Sequence, residues 1–151
     1  MTPATMRAVV LRAAGGPDQL VLEQLATPVP GDGEALVRVH AAALTRDELE
    51  WPVDRLPAIP SYELSGVVAA LGPGVDEVAV GDQVYGMTAF DRDGVAADYA
   101  AIPAGLLAPK PGRLRELSAP SRPGSRLLDR CCESGPGWLG ARSRRVVSWR
   151  P

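Results

Sequence analysis

The sequence has few of the residues from which metal centres and membrane segments are built. Its 151 residues include one histidine, two cysteines and one phenylalanine. Because the two cysteines, Cys131 and Cys132, are adjacent and only one imidazole is present, a zinc site made from clustered Cys and His is excluded. A disulfide between neighbouring cysteines is strained, so two free thiols are expected. No apolar run reaches the roughly 18 residues of a membrane-spanning helix.

Charge and composition exclude further classes. The start of the chain lacks the charged and long apolar regions of a secretory signal, so a cytoplasmic location and no membrane partner are expected. The net charge of −2 excludes a chain that is basic overall and binds nucleic acid through its whole surface. Glycine and proline supply 16 and 15 residues, which favours a turn-rich β domain over a helical bundle.

The charge is divided unevenly along the chain. Residues 1–112 carry 7 basic and 15 acidic side chains, whereas residues 113–151 carry 9 basic and 3 acidic ones. The composition changes near Ser118, which predicts one domain at 1–117 and a basic tail rich in Arg, Pro, Gly and Ser at 118–151. Three interpretations of this tail stay open: an interaction arm, a disordered end, or an aberrant segment read from a GC-rich gene in the wrong frame.

Short apolar segments separated by turns predict a mainly β fold. Strands are expected at 6–11, 20–24, 34–42, 64–71 and 95–102, with a further short strand after the turn at Gly81, and one helical turn within 45–51. In the third strand Val37, Val39 and Ala41 alternate with Arg38 and His40, so the first set is predicted to be buried. The lone His40 is then a surface residue rather than a ligand. Strands at this spacing indicate a barrel or sandwich.

One glycine motif in the tail lacks the context that its function needs. Residues 135–140 match the pattern GxGxxG. In a dinucleotide site this turn lies between a strand and a helix, with an acidic residue about 20 positions later. No strand is predicted before it and only 11 residues follow it. The motif is therefore interpreted as a turn, and a Rossmann domain is predicted to be absent.

Three groups of segments, taken together, resemble the N-terminal GroES-like domain of medium-chain dehydrogenases/reductases. The order and spacing of the motifs agree from residue 6 to about residue 117. The segments are residues 6–20; residues 37–49 with 57–68; and residues 72–75, 80–86 and 94–103. The resemblance implies a GroES-like, partly open β-barrel with short helices, followed by a poorly structured tail.

Departures from the family pattern indicate its zinc-independent, quinone oxidoreductase-like branch. Zinc-dependent members have Cys where Thr45 stands and His where Tyr62 stands, and the lobe that holds a structural zinc is missing after Tyr85. Glu48 replaces the usual Asp. The resemblance therefore implies no metal. It makes Thr45 and Tyr62 candidate catalytic residues of the cleft, Thr45 also a nicotinamide contact and hydroxyl donor, and Trp51 a substrate-binding residue.

The resemblance implies an NADPH-dependent enzyme that reduces quinones, enones or other activated C=C bonds and that is usually homodimeric. Because the family's sequence pattern is lost after Ser118, the chain is expected to be an N-terminal fragment of such an enzyme and to be inactive on its own. A non-enzymatic GroES-like interaction module is the alternative. A third hypothesis, an acidic or nucleic-acid partner bound by residues 142–150, is weaker, and no nucleic-acid partner is predicted.

Overall fold

The computed structural model describes residues 1–50, 55–111 and 145–148, and this part of the chain is mainly β structure. Single turns of 3-10 helix occur at Pro17–Gln19, Asp47–Leu49 and Ala104–Leu106. The strands, in chain order, are β1 (Thr5–Leu11), β2 (Leu20–Ala26), β3 (Glu34–Leu44), β4 (Glu63–Leu71), β5 (Gln83–Met87), β6 (Tyr99–Pro103), β7 (Leu107–Pro109) and β8 (Arg145–Ser148).

The described strands form two antiparallel sheets that do not close into a barrel. Strands β1 and β2 form a hairpin, which is a two-stranded sheet. The six-stranded sheet has the order β6-β3-β4-β5-β7, and β8 also pairs with β3. The mainly β fold predicted from the sequence is therefore confirmed, with open sheet ends at β6 and β7.

Strand β3 lies at the centre of the hydrophobic core. It pairs with β4 on one edge and with β6 on the other. Gly66 of β4 allows the close approach of β3, because a Cβ at this position would collide with the carbonyl oxygen of Arg38. The largest fully buried side chains of this core come from four strands and one loop. They are Val37, Val68, Val84, Val95 and Ile102.

A bulge in β3 changes which of its residues are buried. Val39 pairs with Gly66 and Ala41 with the adjacent Ser65, so His40 is the extra residue of the bulge. Beyond it the buried residue is Ala42, and Ala41 is half-buried. The predicted burial of Val37 and Val39 is confirmed, whereas that of Ala41 is wrong because the bulge shifts the alternation by one residue.

The segment before β6 also differs from the predicted strand at 95–102. Regular pairing begins only at Tyr99. The backbone of Val95 donates to Ser61 O at 2.6 Å, and Ala96 O accepts from Val9 N at 2.8 Å. These residues therefore connect the loop before β4 to the hairpin instead of extending β6.

Two strands, β7 and β8, were not predicted from the sequence. Strand β7 is short and lies against β5. Strand β8 lies within the basic tail predicted at 118–151. Cys131, Cys132 and the glycine motif at 135–140 lie outside the described residues, as does the rest of that tail.

Candidate functional site

The candidate site forms where three neighbouring strands of the larger sheet end. Glu63 of β4 pairs with Ala43 of β3 and with Met87 of β5. Since these strands are antiparallel neighbours, Thr45 after β3, Tyr62 before β4 and Thr88 after β5 lie at the same end of the sheet. Thr45 and Tyr62, which were predicted to share a cleft, are thus brought to one edge by the strand register.

A buried carboxylate holds this edge together. Glu48 is only 5% exposed. Its Oε1 accepts hydrogen bonds from the Thr45 backbone N–H at 3.0 Å and the Thr45 hydroxyl at 2.8 Å. Its Oε2 accepts from the Ser61 backbone N–H at 2.8 Å. Three donors therefore compensate the burial of this carboxylate.

The local sequence explains how Glu48 reaches these donors. Thr45 and Glu48 are three residues apart, the spacing of a capping box, in which the acidic side chain turns back to an N–H at the start of a helical turn. Here that turn is the 3-10 helix Asp47–Leu49. The single hydroxyl hydrogen of Thr45 is donated to Glu48. The Thr45 oxygen can therefore only accept a hydrogen bond from a ligand, through its lone pairs. The hydrogen-bond donor role expected for Thr45 is therefore taken up inside the protein.

Ser61 joins the two strand ends. It has a φ of 71°, in the left-handed region that few non-glycine residues adopt. Its Oγ donates to Ala43 O of β3 at 2.9 Å, and its carbonyl accepts from Val95 N. Ser61 was not among the residues predicted from the sequence. The only sequence signal was its place between Pro60 and Tyr62 immediately before β4.

Tyr62 is a buried aromatic residue beside this network. The residue is 4% exposed, and its ring lies edge-on to Phe90 with 4.9 Å between centroids. Its carbonyl accepts from Thr88 N at 2.8 Å. The Thr88 hydroxyl is buried and has no hydrogen-bond partner among the residues that the structure describes. Trp51, the predicted substrate-binding residue, lies outside the described residues.

The described residues carry a small cationic cluster away from these strand ends. Burial lowers the pKa of His40, and the positive charges of Arg38 and Lys110 lower it further. Burial also lowers the pKa of Lys110. His40 is thus a half-buried residue of the β3 bulge and not the surface residue that was predicted. Within residues 1–50, 55–111 and 145–148 no group of three or more His, Cys, Asp or Glu side chains could hold a metal ion.

Comparison with known proteins identifies the class to which this domain belongs. Residues 31–112 match the alcohol dehydrogenase GroES-like domain. This match covers more than half of the chain, so the chain belongs to that family. The family is one of oxidoreductases that includes alcohol dehydrogenases and quinone oxidoreductases.

Individual relatives agree with this assignment. The chain is 38% identical over 92 residues to the mouse synaptic vesicle membrane protein VAT-1 homolog-like, a match of 57% of this chain and 22% of the relative. It is 31% identical over 135 residues to the Arabidopsis thaliana chloroplastic NADPH-dependent alkenal/one oxidoreductase, covering 80% and 35%. The solved quinone oxidoreductase of Coxiella burnetii superposes with a TM-score of 0.65 at 29% identity, covering 72% of this chain and 38% of that one.

The chain spans 22–35% of the length of these two curated relatives. No helix of the described residues is long and apolar enough to cross a membrane. The cytoplasmic location predicted above stays a prediction, since one relative is chloroplastic.

Proposed function

We propose that this chain supplies the substrate side of a zinc-independent, NAD(P)H-dependent oxidoreductase that reduces quinones or enones. The observation that carries the proposal is the set of hydrogen bonds that Thr45 and Ser61 donate to the Glu48 carboxylate. Thr45 stands where zinc-dependent members place a cysteine ligand, and its hydroxyl and backbone N–H both donate to Glu48 Oε1. A hydroxyl in this position holds no zinc, because zinc in proteins takes Cys, His or carboxylate ligands.

The residues at this edge fit a nicotinamide or a reduced quinone better than a metal. Thr45 is half-buried, and its hydroxyl oxygen keeps lone pairs that can accept an N–H from a carboxamide or an O–H from a hydroquinone. A bound nicotinamide nucleotide supplies the hydride in this chemistry. Thr45 would hold the ligand in place, and Glu48 would fix the direction in which the Thr45 lone pairs point.

Tyr62 is proposed to shape the apolar wall of the same cleft. It is buried, and its partner Phe90 is 52% exposed beside it. A partly exposed aromatic ring next to a polar group suits the flat, apolar face of a quinone or enone. The preference for NADPH, the homodimer and the role of Trp51 remain proposals that rest on the family resemblance.

The activity of a hybrid enzyme, made by replacing one domain, tests this proposal. Residues 1–111 would replace the corresponding domain of the Coxiella burnetii quinone oxidoreductase, and oxidation of NADPH or NADH would be followed with a quinone or an enone after removal of metals. We expect turnover in the hybrid enzyme and none from the isolated chain, with no effect of added zinc. Zinc-dependent oxidation of an alcohol by the hybrid would contradict the proposal.

A non-enzymatic interaction module is the second candidate. It is favoured by three large apolar side chains that are about half exposed near β5, namely Tyr85, Met87 and Phe90, at 47%, 49% and 52%. Exposed apolar groups of this kind are typical of surfaces that bind another protein or domain. Self-association of the chain without any binding of nucleotide or quinone would favour this candidate over the reductase.

A further inference from the structure

An apolar groove lies between the β1–β2 hairpin and the end of β3. Its volume is about 270 Å³. The hairpin contributes Val9, Leu20 and Leu22 to its walls, and β3 contributes Ala42 and Leu44. Val9 and Leu22 lie directly opposite each other in the hairpin, and Leu22 is 59% exposed. The hairpin wall is therefore partly open to solvent, and the groove can be entered from outside.

The chemistry of the groove selects an apolar ligand. Ser61 is the one polar residue among the described residues that line it. Both donors of Ser61 are used inside the protein, because its N–H donates to Glu48 Oε2 at 2.8 Å and its Oγ to Ala43 O at 2.9 Å. A polar group that entered the groove would lose hydrogen bonds to water and meet no donor of Ser61 in exchange. An alkyl group loses nothing and gains by leaving water.

The groove is continuous with the Thr45 edge. Leu44, which lines the groove, immediately precedes Thr45 in the chain. The Glu48 carboxylate also joins the two regions, since its Oε1 accepts from the Thr45 hydroxyl and its Oε2 from Ser61, which lines the groove. A ligand that has a polar ring and an apolar side chain can therefore contact the Thr45 oxygen and the groove together.

The size of the groove indicates what part of a ligand it holds. About 270 Å³ is just below the range of roughly 300–1,000 Å³ for pockets that enclose a whole drug-sized ligand. We propose that the groove binds a short alkyl side chain of the quinone or enone whose ring contacts Thr45, a role that rests on the proposed function. The preferred substrates are then alkyl-substituted quinones or enones rather than small unsubstituted ones.

Two hydroquinones that differ only in side-chain length test this role. The metal-free, isotopically labelled full chain is titrated with methylhydroquinone and with pentylhydroquinone, which differ by four methylenes. Because burial of one methylene raises affinity by up to roughly fourfold, we expect the pentyl compound to bind at least tenfold more tightly. Both should shift the backbone signal of Thr45, and only the pentyl compound should also shift those of Leu22 and Ala42.

A charge placed in the groove separates the side chain from the ring. Leu22→Asp should reduce the ratio of the two affinities from at least tenfold to near one, because an alkyl chain beside a buried carboxylate displaces its water. Val21→Asp is the matched control. Val21 is 43% exposed and lies on the opposite face of β2, since successive side chains of a strand alternate. This variant should keep the wild-type ratio.

A third ligand decides the matter in the wild-type chain if Leu22→Asp does not fold. A hydroquinone whose side chain has the same length but contains ether oxygens should lose most of the gain of the pentyl compound. Equal affinities of the methyl and pentyl compounds overturn the role of the groove and leave the proposed function standing. So does a pentyl chain that shifts Tyr85 and Met87 instead of Leu22 and Ala42. If neither compound shifts Thr45, the proposed function fails, and the role of the groove fails with it.

Discussion

At the scale of single residues, Glu48 determines the geometry of the candidate site. Its carboxylate accepts three hydrogen bonds that come from two separate loops. A glutamine at this position can accept through only one of its two terminal atoms, so Glu48→Gln leaves a buried donor unpaired. We expect the free energy of unfolding to fall by about 1–3 kcal/mol, measured by urea denaturation. Glu50→Gln, at an exposed neighbour, is the control and should have almost no effect.

His40 makes the free energy of unfolding depend on pH. The effect can be assigned to one group, since His40 is the only histidine in the sequence. Burial, with the charges of Arg38 and Lys110, holds its pKa in the folded state below its ordinary value of 6.5. The unfolded chain therefore binds a proton more readily. The resulting stabilisation is complete above pH 6.5 and is lost as the pH falls towards the folded-state pKa.

The corresponding prediction concerns the slope of stability against pH. The free energy of unfolding should decrease between pH 6.5 and 5 in the wild-type chain, and His40→Gln should flatten this part of the curve. Denaturant midpoints at several pH values measure it. Equal slopes in the two proteins would show that His40 has the same pKa in both states.

The residues of the site were only partly accessible from the sequence. The resemblance selected Thr45, Tyr62 and Trp51 as candidates and noted Glu48 only as a departure from the usual Asp. The structure brings Thr45, Tyr62 and Glu48 to one end of the sheet, and Trp51 lies outside the described residues. The resemblance could not show that the Thr45 hydroxyl donates its hydrogen bond to Glu48, because this depends on where the Glu48 carboxylate lies in the folded chain. Ser61 was missed because its positive φ and its bond to Ala43 are set by long-range packing.

At the scale of elements, the close packing of β3 against β4 depends on the absence of a side chain at Gly66. A methyl group there would collide with the Arg38 carbonyl and lie 2.7 Å from Val37 Cγ1. Gly66→Ala must therefore separate the two central strands, and we expect a loss of about 1–3 kcal/mol in the free energy of unfolding, as in other overpacked cores.

Gly105 offers a matched control for that substitution. Its backbone does not have a positive φ, and a methyl group would meet nothing within 4 Å. Gly105→Ala should therefore stay within about 0.5 kcal/mol of the wild-type stability. Thermal or urea unfolding of both variants makes the comparison, and equal effects at the two positions would show that close packing at Gly66 is not the cause.

Local patterns predicted the elements better than their irregularities. Alternation in β3 gave the strand and its buried Val37 and Val39. It failed after His40, because an extra residue in a strand reverses every later face. The segment before β6 was predicted as strand because its residues suit one, yet Val95 and Ala96 bond to the loop before β4 and to the hairpin. Such contacts between distant segments leave no local signal.

At the scale of the whole molecule, Arg7 and Asp98 connect the hairpin to the segment before β6. The guanidinium of Arg7 donates to both carboxylate oxygens of Asp98, at 2.9 and 3.1 Å, and Arg7 N donates as well. Burial opposes ionisation of Asp98, but these hydrogen bonds outweigh it and lower its pKa. The stabilisation is present above the unfolded-state pKa of about 3.9 and is lost as the pH falls through the lower folded-state value.

The substitution Asp98→Asn tests this connection. The variant should be less stable than the wild-type chain at neutral pH, and the difference should shrink in acid once the wild-type Asp98 is protonated. Denaturation of both proteins by urea, at neutral and at acid pH, measures the difference in their free energies of unfolding at each pH. Asp18→Asn, at an exposed carboxylate near the start of β2, should show no such pH-dependent difference.

The central claim is that the Thr45 edge binds an organic substrate and not zinc. It is tested most directly by titrating the metal-free, isotopically labelled chain with a soluble hydroquinone and separately with zinc, while following the backbone signals of Thr45, Ser61 and Tyr62. The hydroquinone should shift these signals, because its O–H groups can donate to the Thr45 oxygen. Thr45→Val, which replaces the hydroxyl with a methyl group, should weaken binding by roughly tenfold, and Thr45→Ser should restore it. Zinc that shifts these signals, or a hydroquinone that leaves them unchanged, would contradict the account.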